Sequence, residues 1–105
     1  MIFHVTEPRR WERSLLDGRH TGSTWATDLA DEGFIHCSTA EQWPGVVERF
    51  YGSVPALVLL HIDEQRLSSP LVWEGAQDVD DAFPHVYGPI DLDAVVRVET
   101  IRGHR

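Results

Sequence analysis

The chain has 105 residues, a formal net charge of −8 and a hydrophobic share of 42%. That length suits one domain, residues 1–105, and the apolar share is that of a globular chain rather than a disordered one. The acidic balance argues against nonspecific nucleic-acid binding, which needs basic surface to displace counterions. No apolar run approaches the ~20 residues of a membrane-spanning helix. Met1-Ile2-Phe3-His4 lacks the basic-then-apolar signature of a leader. The single cysteine, Cys37, can form no internal disulfide, so a reducing, cytoplasmic setting is expected. Every basic residue is an arginine, which removes lysine Schiff-base chemistry.

Ile2-Phe3-His4-Val5 reads as a first strand. Thr6 is placed to cap a helix in whose first turn Pro8 is tolerated. Trp11 and Leu15, four residues apart, mark its inner face, and Gly18 its end. Ser23-Thr24-Trp25 reads as a short strand and Leu29-Ala30 as a helical turn. Phe34 to Ser38 is the second clear strand. Thr39 and Gln42 form a capping-box pattern. It precedes Trp43, Val46, Val47 and Phe50, whose i, i+3, i+4, i+7 spacing predicts an amphipathic helix with those four in the core.

Leu57 to Asp63 reads as a fully buried strand. Ser68-Ser69-Pro70 is a turn and Leu71 to Glu74 a short strand. Gly75 to Ala82 reads as an acidic loop, and Asp78-Val79-Asp80-Asp81 as solvated rather than metal-binding. Prolines bracket Phe83 to Ile90, which predicts an edge strand or ordered loop. Ala94 to Ile101 alternates as a last strand. The order implies an α+β domain, two helices packed on a largely antiparallel sheet, split into parts if the strands do not all pair.

Four of the six histidines, His4, His36, His61 and His85, sit in apolar strand-like runs. Alternation sends Ile35 and Cys37 one way and Phe34, His36 and Ser38 the other. Val86 likewise opposes His85 and Tyr87. If the polar faces share one concavity, it holds His4, His36, Ser38, His85 and Tyr87, with Trp25 and Glu74 as further walls. Aromatic walls with a few polar groups are the make-up of a small-molecule pocket. His61 is assigned a structural role, and His20 and His104 a solvated one.

Three chemistries compete. Histidines ligate metal, but zinc sites favour close pairs, and here the spacings are 32 and 49 residues between His4, His36 and His85. Cys37 faces away from His36 and should be a small core residue rather than a nucleophile. The third is a ligand pocket in which Ser38 and Thr39, where a strand hands over to a helix N-terminus, face a phosphate or carboxylate.

The segments Glu32-Gly33-Phe34-Ile35-His36-Cys37-Ser38-Thr39-Ala40, Arg49-Phe50-Tyr51 and Phe83-Pro84-His85-Val86-Tyr87-Gly88-Pro89-Ile90 resemble the signature of a small bacterial family known as domain of unknown function 952. Its fold is similar to that of the ADP-ribosyltransferase superfamily, which binds NAD in a cleft between two small sheets. That resemblance puts His4 at the first ligand position, Ser38 at the second and His85 or Tyr87 at the third. His36 resembles a histidine of the RNA 2′-phosphotransferase branch. The third position often holds glutamate; Glu74 substitutes for it if its strand lines the cleft. The resemblance therefore implies a pocket for NAD or another nucleotide, with no membrane partner. His36 and His85 would be acid/base groups at a ribose, and His4, Trp25, Ser38, Thr39, Glu74 and Tyr87 would be ligand contacts. A binding module without catalysis and a histidine-ligated metal protein are the alternatives.

Overall fold

Leu57-Val58-Leu59-Leu60 is apolar without a break because both of its faces are covered. The computed structural model, which describes residues 1–23, 27–52, 54–75 and 82–102, places this run in β4 (Leu57–Ile62). β4 is the middle strand between β1 (Ile2–Thr6) and β8 (Val95–Ile101), antiparallel to both. Leu57 and Leu59 pack with Val46, Val47 and Tyr51 of α3 (Trp43–Tyr51). Val58, Leu60 and Ile62 face the other way, toward Ile35, Cys37, Val86 and Ile90. Trp11 of α1 (Pro8–Asp17) packs against this second cluster. Burying a leucine in either cluster contributes roughly 1.5–3 kcal/mol.

A second three-stranded sheet has the order β3-β6-β5 and is also antiparallel: β3 (Ile35–His36), β6 (Phe83–Val86) and β5 (Leu71–Glu74). It is stitched to the first sheet where Phe3 and Ser38 exchange backbone hydrogen bonds of 2.8 and 2.7 Å. A two-residue ladder pairs β2 (Arg19–His20) with β7 (Ile90–Asp91). A one-turn helix, α2 (Leu29–Glu32), leads into β3. The fold is thus α+β with split antiparallel sheets.

Several expectations are corrected. Thr6 does not cap α1: it is the last residue of β1, buried, and Glu7 holds the cap position with no side-chain bond. Leu15 is exposed, and the buried position on α1 is Ser14. Ser14 faces inward because its hydroxyl donates to the Arg10 carbonyl at 2.9 Å and accepts from His20 Nδ1 at 2.6 Å. His20 is therefore fully buried rather than solvated, and it meets the His4 ring at 5.0 Å.

Phe50 is 45% exposed and Tyr51 is buried in its place, because the helix turns its inner face one residue further on. The strand around Pro84 is central rather than an edge. Proline is tolerated there because the Pro84 carbonyl, which accepts from Cys37 N–H at 2.9 Å, faces β3 just past its two-residue ladder. A residue's N–H points the same way as its carbonyl in an antiparallel strand, so the missing donor faces the end of β3, where it costs one terminal bond, and takes none from the pairing with β5.

Trp25, the strand expected over Thr24 and Trp25, the acidic run Asp78 to Asp81 and His104 all lie outside the described residues. Among the described residues, no helix is long and apolar enough to cross a membrane.

Candidate functional site

Pleat parity decides which side chains meet. His36 pairs with His85 across β3 and β6, and Glu74 pairs with Phe83 across β5 and β6. Directly opposed residues share a face, so His36, His85, Phe83 and Glu74 all project from one side of the second sheet. Ile35 and Val86, on the opposite face, are fully buried. Cys37 lies with them in the core, and burial pushes its thiol well above the ordinary thiol range, so it is not a nucleophile.

A pocket of about 640 Å³ opens on the polar face. Its lining comes from Phe34, His36 and His85 of the sheet region, Glu32 and Gly75 beside it, and Arg49 and Phe50 of α3. The His85 ring is stacked on Phe34 at 4.1 Å and lies 5.3 Å from the His36 ring.

His85 Nδ1 lies 2.9 Å from Glu74 Oε1. A carboxylate only accepts, so Nδ1 carries a proton, and in the neutral ring Nε2 is the nitrogen with the lone pair. Tyr87 donates its hydroxyl to the same Glu74 oxygen. That bond, and then the one from His85, hold the Glu74 carboxyl below its ordinary value, while the Tyr87 phenol is raised by its bond to the carboxylate. Gly75 has φ +85° and lies beside the His85 ring edge: a Cβ there would be 3.5 Å from Cε1 and 4.0 Å from Nε2.

His36 is held by its backbone. Its carbonyl accepts from His4 Nδ1 at 2.7 Å, and its N–H donates to the Ser23 hydroxyl at 3.3 Å. Burial, aided by His85, lowers the His36 imidazole to about 4, with Glu32 opposing. The Glu32 carboxylate is itself fixed, accepting from Ser23 Oγ at 2.7 Å and Thr27 Oγ1 at 2.9 Å.

The structure therefore brings together His36, His85, Glu74 and Tyr87, but of these only the two histidines line the pocket, with Glu74 bonded to His85 and Tyr87 to Glu74. Three other expected contacts, His4, Ser38 and Thr39, do not line it either. His4 is 2% exposed and stands behind β3, where burial lowers it to about 4 and its ring supports the His36 backbone instead. Ser38 is also buried, because the chain there leaves β3 to pair with Phe3. Thr39 turns to the helix start: its N–H donates to Gln42 Oε1 at 2.9 Å, and its hydroxyl accepts from Gln42 N–H at 3.2 Å. His61, outside the site as expected, is paired with Glu99 at 2.9 Å.

Glu32, Phe34, Arg49, Phe50 and Gly75 line the pocket without having been singled out as site residues. The signal lay in the motif segments Glu32-Gly33-Phe34 and Arg49-Phe50-Tyr51, which carry the family resemblance on either side of the histidine strand. Among the described residues, no cluster of three or more His, Cys, Asp and Glu is placed to hold a metal ion.

Fold and site together define a small α+β protein with a histidine–carboxylate pair in an aromatic pocket. The chain belongs to the family described as "Protein of unknown function (DUF952)", which matches residues 5–98. Among solved structures, it is similar to the crystal structure of protein CC0527 from Caulobacter crescentus. The two are 31% identical with a TM-score of 0.80, over 94% of this chain and 83% of that one. The solution structure of CC0527 is similar with a TM-score of 0.72 at 31% identity, over 93% of this chain and 81% of that one. No curated protein matches.

Proposed function

We propose that this chain is an ADP-ribosyltransferase-like domain whose pocket takes NAD or another nucleotide and acts at a ribose. The observation that carries the reading is the bond between His85 Nδ1 and Glu74 at 2.9 Å, which leaves Nε2 as the available base in a pocket walled by Phe34 and Phe50. The split antiparallel sheets with a pocket on one inner face support the fold assignment.

In this reading a planar base stacks on the phenyl rings, and the Glu32 carboxylate faces positive charge developing on the ribose. The oxygen of an acceptor O–H, water included, bonds to ribose C1′. The C1′–N bond breaks, and its electron pair leaves on the base. His85 Nε2 takes the acceptor's proton, and Glu74 steadies the imidazolium that results. His36, kept neutral beside it, hydrogen-bonds a ribose hydroxyl.

The test is titration with NAD, ADP-ribose and nicotinamide, read by tryptophan fluorescence and calorimetry, followed by assay for released base. Saturable NAD binding with release of nicotinamide is expected. No binding at millimolar ligand refutes the NAD version. Binding without turnover, unchanged in His85→Ala, makes the chain a binding module instead.

A further inference from the structure

Arg49 stands on the exposed side of α3 and has no ion-pair partner among the described residues. It lines the pocket of about 640 Å³ and also a second, adjoining pocket of about 340 Å³. The two share His36, Arg49 and Phe50, so they are compartments of one groove with those three residues at its neck.

Charge is arranged along this groove in a definite order. Glu32 lines only the larger compartment and Glu41 only the smaller, while the guanidinium is at the neck between them. Aromatic surface follows the same plan, with Phe34 in the larger compartment, Phe83 in the smaller and Phe50 at the neck. The neck is thus the cationic point of a groove whose two ends present carboxylates, on a chain of net charge −8.

We propose that the groove binds a two-armed ligand centred on phosphate, with the phosphate seated on Arg49 and one ring-bearing arm in each compartment. This deepens the nucleotide reading above and rests on it. A guanidinium offers a planar fork of donors that matches phosphate oxygens, and among the described residues no carboxylate is ion-paired with this one. The arms stack on Phe34 and Phe83, and their hydroxyl or amino groups donate to Glu32 and Glu41. Glu32 is ready for that role, because the Ser23 and Thr27 hydroxyls already fix its carboxylate. A mononucleotide fills one compartment and leaves the other to water.

The experiment is calorimetry on wild type and Arg49→Gln with four probes: NAD, AMP, adenosine and inorganic pyrophosphate. NAD should bind tightest, then AMP, then adenosine. Arg49→Gln should weaken NAD, AMP and pyrophosphate by about ten-fold or more and leave adenosine unchanged, since the lost contact is a charge-assisted one. An unchanged melting temperature confirms that the variant is folded.

If adenosine binds wild type and variant as tightly as NAD, the proposal is overturned and the nucleotide reading stands. If AMP equals NAD, the second arm is refuted. If pyrophosphate binds through Arg49 and no nucleotide binds better than pyrophosphate, the nucleotide reading and the two arms both fall. Absence of binding by all four probes likewise refutes both.

Discussion

His85 and Glu74 are diagonal neighbours on one face of the second sheet, joined by a bond of 2.9 Å from Nδ1 to Oε1. Val72 is the residue directly opposite His85, so Glu74 reaches the imidazole from two positions further along β5. The pair sets the histidine's tautomer and holds its other nitrogen toward the pocket.

His85→Ala should remove most of the turnover of a nucleotide substrate. A loss of roughly 10²-fold or more in kcat fits the removal of a general base. Glu74→Gln should cost less and act through the orientation and charge of His85 rather than through contact with ligand. A fall in kcat with ligand affinity and melting temperature retained checks this against simple loss of structure.

Phe50 and Tyr51 are adjacent in sequence and opposite in role. Phe50→Ala removes a pocket wall from an exposed position, so stability should change by less than about 1 kcal/mol while ligand affinity falls. Tyr51→Ala empties a core position and should cost roughly 3–5 kcal/mol. Urea unfolding of both variants, with calorimetry on the first, separates the two effects.

Stability should fall in mild acid. Burial holds the His4 imidazole at about 4 against 6.5 for the free side chain, and it lowers His36 and His20 in the same direction. Between those values the unfolded chain takes up protons that the native state refuses. The stabilisation is thus complete above pH 6.5 and lost as pH falls toward 4. His4 alone contributes a slope of about 1.4 kcal/mol per pH unit in that window. Urea midpoints at pH 7, 5.5 and 4.5 should decline steadily; a flat response contradicts the assignment.

Gly75 is held at φ +85° beside the His85 ring. Gly75→Ala should cost about 1–2 kcal/mol from the backbone alone. It also places a methyl in van der Waals contact with His85 Cε1, at 3.5 Å, on the pocket wall that Gly75 forms, and so takes space from a ligand. Ligand affinity should drop by more than the stability loss explains, measured where the variant remains folded.

Cys37 should resist alkylation. It is fully buried and its thiol is raised by burial, so the thiolate is scarce and out of reach. Iodoacetamide should leave the native protein unlabelled and modify it completely in denaturant; rapid native labelling would refute the placement.

Strand alternation alone set Cys37 and Ile35 opposite His36, and Val86 opposite His85; the pairing of β3 with β6 is what puts the two histidines on one face. Alternation could not say that His4, of the right chemistry on the neighbouring strand, points behind β3 rather than into the pocket. That depends on how the two sheets meet at Phe3 and Ser38, a long-range pairing with no local trace. The polar neighbours of His20 suggest a surface position, whereas the inward Ser14 hydroxyl partners its Nδ1 in the core.

By itself, the sequence determined the α+β class, the Thr39–Gln42 bonded turn that leads into α3, the burial of β4 and the opposite faces taken by His36 and by Ile35 and Cys37. These follow from local periodicity and hydrogen-bonding chemistry, which act over a few residues. Only the tertiary structure decided the partners: Glu74 for His85, Arg49 and Phe50 of α3 at the pocket wall, and Glu32 held by Ser23 and Thr27. Such contacts join residues far apart in the chain, and their selection rests on sheet register and helix rotation. A small change in either, such as the rotation that exposes Phe50 and buries Tyr51, changes which side chains meet.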